Sequence, residues 1–295
     1  METRDIHDLL ARLGADASLD GPTRFADRHA IRSELALAAE LLAHRRADPE
    51  ARALAARVAE GTASLERADR ELFAGLRDEI REGRVSGASL RVWLDPLTAY
   101  TARAERHAHV VEEPLDAFVD GLLGLPRVAE TGIAPGDELI HYEPAPASVV
   151  LDLVDHGGLG ENDVVCDVGS GIGRIPLLLH LLTGRKTRGL ELDEGLASVG
   201  ERAARDLELA DVELRAGDAR TADFAGATVF VLVTPFKGRV LDDVLERLRA
   251  ACAPAPLRLV SFGPGTPWLA RVPWLEQTDG DPSDEFRLAR FVGRG

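Results

Sequence analysis

The run VVCDVGSGIGRIPLLLHLL, Val164 to Leu182, carries a short apolar segment through three closely spaced glycines and straight into a leucine-rich helical pattern. An apolar segment of this length, bounded by a turn, reads as a strand buried on both faces, the kind found in parallel sheets covered by helices. Gly169, Gly171 and Gly173 lack a Cβ, so the chain turns sharply there and its backbone can approach a ligand closely. The helix that follows opens with unpaired N–H groups. Strand, turn and helix together predict the ligand-binding edge of an α/β domain.

The rest of the C-terminal half continues the alternation. Strands are predicted near Asp163 to Val168, Thr187 to Leu192, Val212 to Ala216, Thr228 to Val233 and Leu257 to Phe262, separated by helical stretches of about a dozen residues. A final pair, around Leu269 to Leu275 and Phe286 to Val292, closes the sheet. The N-terminal part differs. From Asp27 to about Leu125 the periodicity is helical, with Ile31, Leu35, Ala38 and Leu42 on one stripe and Leu65, Leu72, Leu76 and Ile80 on another. Gly61, the Gly83 to Gly87 segment and Pro96 divide it into four or five helices. Thr131 to Ile140 reads as a linker. The fold class is α/β, a Rossmann-like, doubly wound and mostly parallel seven-stranded sheet (residues 131–295) behind an all-helical region (residues 1–130).

A nicotinamide dinucleotide fold uses the same glycine device, but its G-x-G-x-x-G fingerprint, started at Gly169, needs glycine where this chain has Arg174. Asp167 at the strand end also suits a ligand with an ammonium group better than one with two phosphates. Glu191 closes the second strand about 20 residues after the glycine turn, where an acidic side chain can accept both ribose hydroxyls of a nucleotide. Asp218, in the turn after the third strand, stands at the next carboxyl edge, where ligands of open α/β sheets collect. Each acid alone also fits a solvated loop or a helix N-cap.

Taken in order, DVGSGIGR, GLELDE, AGDA and VTPF resemble the successive motifs of class I S-adenosylmethionine-dependent methyltransferases, over roughly Asp137 to Gly295. The resemblance implies S-adenosylmethionine as cofactor. Gly169, Ser170, Gly171 and Gly173 would border its methionine part, Asp167 would hold its amino group and Glu191 its ribose. Leu192 would pack on adenine, with Asp218 and Ala219 at the adenine edge. HYEPAP, His141 to Pro146, is similar to the Tyr-x-Pro element of some protein lysine methyltransferases, although Ala145 stands where those enzymes often have Ser or Thr. Tyr142 becomes a candidate active-site residue. Thr234, Pro235 and Phe236 occupy the place of an Asp/Asn-Pro-Pro-aromatic motif, which makes Thr234 and Phe236 candidates too; Thr234 lacks the amide or carboxylate that orients an acceptor nitrogen in those enzymes.

The activity so implied is methyl transfer to a protein side chain or a small molecule. An acidic rim would draw a cationic amine, so an amine is the favoured acceptor. The formal charge of −15 disfavours a phosphate backbone, so no nucleic-acid partner is expected. No apolar run approaches the roughly 18 residues of a membrane span, and the N-terminus METRDIHDLL lacks a basic and apolar leader, which predicts a cytoplasmic protein without a membrane partner. Cys166 and Cys252 are too few for a disulfide framework, and Cys166 reads as a buried thiol. His107 and His109 with Glu112 and Glu113 fall on a helical, solvent-facing pattern, so no metal is expected. Two other readings stay open: a partner subunit that binds the cofactor without catalysis, and a nicotinamide-dependent oxidoreductase.

Overall fold

A computed structural model describes residues 3–45, 47–104, 113–126, 142–233, 236–252, 255–281, 283–284 and 286–293. The predicted linker, Thr131 to Ile140, lies outside them, as do His107, His109 and Glu112. By internal packing the chain forms two compact units, Met1–Glu79 with Val92–Leu122, and Ile80–Arg91 with Leu123–Gly295.

The first unit is helical. Helix α1 (Thr3–Ala15), α2 (Phe25–Ala43) and the N-terminal part of α3 (Pro49–Arg81) share one apolar core. The predicted stripe on α2 is its inner face: Leu35, Ala38 and Leu42 are buried and Ile31 packs against them. Gly61 does not end a helix. It lies inside α3, where an added Cβ would come within 2.6 Å of Leu13 Cδ2, so its absence lets α1 approach closely. Pro96 likewise sits within α4 (Gly87–Ala104) instead of ending it. Further along α3 the core position next to half-buried Leu72 is taken by Phe73, whose ring meets Phe25 and Phe118 edge-on at 5.5 and 5.4 Å; Phe118 belongs to α5 (Pro114–Leu123). Beside this cluster Arg28, fully buried, donates to Asp69 Oδ1 at 2.6 Å and to the carbonyls of Leu19 and Gly21, both at 2.7 Å. Arg32 contacts the other carboxylate oxygen at 2.9 Å.

The second unit opens with the turn between α3 and α4, where Arg81 donates to the Asp206 carbonyl at 2.8 Å and Arg91 pairs with Asp155 at 2.6 Å. Helix α6 (Ala147–His156) then leads into β1 (Val165–Val168), α7 (Arg174–Thr183), β2 (Thr187–Glu191), α8 (Glu194–Asp206), β3 (Val212–Ala216), β4 (Val229–Leu232), α9 (Gly238–Cys252), β5 (Arg258–Ser261), α10 (Thr266–Leu269), β6 (Leu275–Asp279) and β7 (Ala289–Gly293). The seven strands run in the order β3-β2-β1-β4-β5-β7-β6, parallel except for β7, which is antiparallel to both neighbours. β1 and β4 are buried at every position, which is why they read as apolar runs, interrupted only by Asp167 in β1.

Two expected strand positions need correction. Leu269 to Leu275 is a short helix and successive turns, with Thr266 and Leu269 buried, and β6 begins only at Leu275. Its sequence LEQTD has little apolar content because it is an edge strand with one buried residue. Phe286, at 85% exposed, precedes β7 and is not part of it. At the amino edge of the sheet, Asp163 comes before β1. Burial alone would raise its carboxyl, but bonds from Arg258, the Gly160 N–H and Thr228 outweigh that and hold it below the ordinary range.

Candidate functional site

The strand order reverses between β1 and β4, and open α/β sheets bind ligands at the carboxyl ends of the strands beside such a switch point. Here the chain leaves β1 through the glycine turn, with Gly169, Gly171 and Gly173 at φ +87°, +54° and +84°. L-residues with a Cβ are strained in that region, so the spacing of the three glycines is dictated by the backbone.

The N–H groups of the turn are largely spoken for. Gly169 and Ser170 donate to the Leu190 carbonyl at 2.8 and 3.0 Å, and Gly173 donates to the Ser170 carbonyl at 2.9 Å. Gly171 donates to Glu191 Oε2 at 2.8 Å. Glu191, the last residue of β2, also accepts the Asp193 N–H on Oε1 at 2.9 Å. Its carboxylate thus bridges the ends of the first two strands. Asp193, which the motif reading did not single out, is buried and caps α8 by accepting from Gly195 and Leu196 at 2.8 and 3.1 Å. Its signal was present in the sequence as an acid immediately before a helical pattern.

Asp167 is 2% exposed, and its Oδ1 has no hydrogen-bond partner among the described residues. Burial, and secondarily the charge of Glu191, push its carboxyl from the ordinary 3.8 up to about 8. A buried acid left this way is destabilising unless a cation or donor joins it. Cys166 beside it is buried as expected, its thiol pushed up to about 12 by burial and then by Asp167.

Leu192 follows Glu191 and is 39% exposed, a large apolar side chain left in solvent at the strand ends. Beyond β3, Asp218 is engaged by its near neighbour: Arg220 donates its backbone N–H at 2.9 Å and its guanidinium at 2.6 Å, and this pairing, led by the side-chain bond, holds the carboxyl below the ordinary range. Ala219 packs against the sheet core. The carboxyl ends of β1, β2 and β3 therefore carry Asp167 with the glycine turn, Glu191 with Leu192, and Asp218 with Ala219, in that spatial order.

Of the acceptor-side candidates, Thr234 lies outside the described residues. Phe236 is 6% exposed and packs in the core cluster with Phe230, Leu232 and Leu241. Tyr142 is half-buried, with its ring laid on Gly171: a Cβ there would fall into it, with Tyr142 Cδ2 and Cζ each 3.1 Å away. Arg174 is buried at the first position of α7 and donates to the Ala145 carbonyl at 2.6 Å. In the sequence Arg174 stands out only as the residue that breaks the dinucleotide fingerprint. Gly200 was also missed. It faces the glycine turn from α8, where an added Cβ would lie 2.8 Å from the Ile172 carbonyl. Among the described residues no group of three or more His, Cys, Asp or Glu could hold a metal ion, and no helix is long and apolar enough to cross a membrane.

The sheet-bearing unit has a Rossmann-like fold, seven-stranded and mostly parallel with an antiparallel β7. No protein-family model matches the sequence, and no curated protein matches it. Similar solved structures include an RNA methyltransferase from Salinibacter ruber in complex with S-adenosyl-L-homocysteine, at 27% identity over 51% of this chain and 92% of that one, with a TM-score of 0.40. Another is the geranyl diphosphate C-methyltransferase from Streptomyces coelicolor A3(2) in complex with Mg2+, geranyl diphosphate and S-adenosyl-L-homocysteine, at 24% identity over 39% of this chain and 45% of that one, with a TM-score of 0.33.

Proposed function

We propose that this chain is an S-adenosylmethionine-dependent methyltransferase acting on a protein side chain or a small molecule. The observation that carries the reading is the chemistry of the glycine turn. A pyrophosphate needs free N–H donors and no negative charge at the turn. Here the N–H groups of Gly169, Ser170, Gly171 and Gly173 already have acceptors, and one of those acceptors is the Glu191 carboxylate. The Glu191 carboxylate thus occupies an N–H that a pyrophosphate would need, and Asp167 is buried at the strand end that leads into the same turn. A nucleoside carrying an amino acid suits them: ribose hydroxyls can donate to the remaining lone pairs of Glu191, and an ammonium group can answer the unpartnered Asp167 oxygen. Leu192 offers an apolar face to adenine.

When bound, S-adenosylmethionine supplies a methyl group already activated on a sulfonium. The protein then has to hold the acceptor lone pair in line and exclude water, and such positioning accounts for on the order of 7 kcal/mol of barrier lowering. Tyr142, Thr234 and Phe236 are the side chains assigned to the acceptor. An amine acceptor is favoured and must lose its proton before attack, so turnover should rise with pH toward the acceptor's pKa.

Calorimetric titration with S-adenosylhomocysteine and with NADH tests the cofactor. Micromolar binding of the first, roughly −8 kcal/mol, with none of the second, is the expected result. Binding of NADH alone would transfer the chain to the oxidoreductases. Labelled cofactor on a cell lysate separates enzyme from binding subunit. Acceptor recognition is assigned to the helical unit, and hydrogen exchange on adding the acceptor so found should protect Met1–Glu79 or Val92–Leu122. Protection confined to Leu123–Gly295 would assign the acceptor to the sheet unit instead.

A further inference from the structure

Segment Tyr142–Pro146 is fastened at two points to the turn that makes the proposed cofactor edge. At one end the Tyr142 ring occupies the space over Gly171 that any side chain would fill. At the other, the Arg174 guanidinium donates to the Ala145 carbonyl at 2.6 Å. Gly171 and Arg174 flank one stretch of backbone, the end of the glycine turn and the start of α7. The same Gly171 is held from its other side by Glu191 through its N–H. The turn is therefore gripped between an acid on β2 and a tyrosine on the preceding segment, and the arginine fixes the segment that carries the tyrosine.

Burying a guanidinium is unfavourable unless its donors are used, and Arg174 is 6% exposed. An arginine kept there, at the first position of a helix where a cation opposes the helix dipole, is explained by a partner worth that cost. The Ala145 carbonyl lies on a segment with Pro144 and Pro146 on either side, so the bond fixes a stretch whose backbone is already restricted.

We propose that Arg174 is a positioning residue for the cofactor site: it clamps the Tyr142–Pro146 segment so that the Tyr142 ring walls the glycine turn. The idea rests on the cofactor reading above, and it also makes a claim about the unliganded chain. The chain has two tyrosines, Tyr100 and Tyr142, so 3-fluorotyrosine labelling gives two resonances, assigned by Tyr100→Phe. In the absence of any ligand, Arg174→Gln, too short to reach the Ala145 carbonyl, should shift the Tyr142 resonance toward the solvent-exposed value, and Arg174→Lys, which keeps a cationic donor on a longer stem, should restore it in part. A resonance unmoved in a folded Arg174→Gln protein overturns the clamp whatever the chain binds.

The second arm uses S-adenosylhomocysteine. Arg174→Gln and Tyr142→Ala should each weaken it on the order of tenfold, and the double variant should be no weaker than the poorer single one, since both act on one contact. Losses that multiply, or an Arg174→Gln protein binding as the wild type does, defeat the proposal. If Arg174→Gln does not fold, the Tyr142 resonance and affinity of Arg174→Lys decide in its place. A wild-type chain that binds no S-adenosylhomocysteine overturns the cofactor reading instead, and the fluorine spectrum still judges the clamp.

Discussion

Asp69 in the helical unit and Asp167 in the sheet unit are both buried, and the two are treated in opposite ways. In the helical unit Asp69 lies between Arg28 and Arg32, and Nη1 of Arg28 donates to two carbonyls. In the sheet unit Asp167 has no ion-pair partner among the described residues, and the charge of Glu191 lies nearby. The first carboxylate has its charge answered by two arginines within the fold. The second is incomplete, and its deficit lies at the carboxyl edge of the sheet, where a ligand can make it good. A buried acid is thus informative about function only once its partners are counted.

The largest expected effect breaks the paired site. Asp69→Asn keeps the shape but strips the partner from the fully buried Arg28, and should cost about 3–5 kcal/mol in chemical denaturation. Asp167→Asn should do the reverse, leaving the ligand-free chain as stable as wild type or more so at pH 7. Equal destabilisation by both would erase the distinction between them.

The pH dependence sharpens the comparison. The folded-state pKa of Asp167, about 8, is above its ordinary 3.8, so the unfolded chain releases this proton first as pH rises. Its contribution to stability is fully present below about 3.8 and is lost as pH climbs through about 8. The advantage of Asp167→Asn over wild type should therefore grow across that window, read from denaturation midpoints at a series of pH values. A constant difference would mean that Asp167 is already ionised in the fold. Should an ammonium group bind there, binding at pH 7 must also expel a proton, visible as heats that vary with the ionisation enthalpy of the buffer.

Much of this was legible in the sequence because parallel strands and glycine turns leave local marks. β4 is apolar throughout and β1 apolar but for Asp167, and Gly169, Gly171 and Gly173 stand where positive φ is required. β6 left no such mark, because an edge strand buries little, and Leu269 and Val272 were apolar for a different reason, packing a helical turn and its exit. The helix ends at Gly61 and Pro96 were misread because a close approach and a tolerated proline depend on neighbours that periodicity does not reveal. At the site, Asp167, Glu191 and Asp218 were visible as acids after strands. The Arg220 that occupies Asp218, the Arg174 that reaches Ala145 and the Arg28 that meets Asp69 across 41 residues were not, since a long guanidinium chooses its partner in space.

Glu191→Ala comes next in size. It removes the acceptor of the Gly171 N–H together with the proposed ribose acceptor, and should weaken S-adenosylmethionine and S-adenosylhomocysteine alike by about 1–3 kcal/mol in calorimetry. Affinity at the wild-type level would take Glu191 out of the site and leave it as a brace between β1 and β2.

The smallest effect tests the comparison from the apolar side. Leu192 differs from the buried leucines of either unit in being 39% exposed, so truncating it leaves no cavity, and Leu192→Ala should change the stability of the ligand-free chain by no more than about 0.5 kcal/mol. If adenine covers it, however, the lost apolar contact should appear as weaker cofactor binding by about 1 kcal/mol, roughly fivefold in affinity, with nearly the same loss for S-adenosylhomocysteine because the two share the adenosine. A ligand-free chain destabilised as strongly as by truncation of a core leucine would make Leu192 a packing residue. Unchanged binding of both ligands would instead move the adenine away from the end of β2, while leaving the Asp167 and Glu191 tests standing.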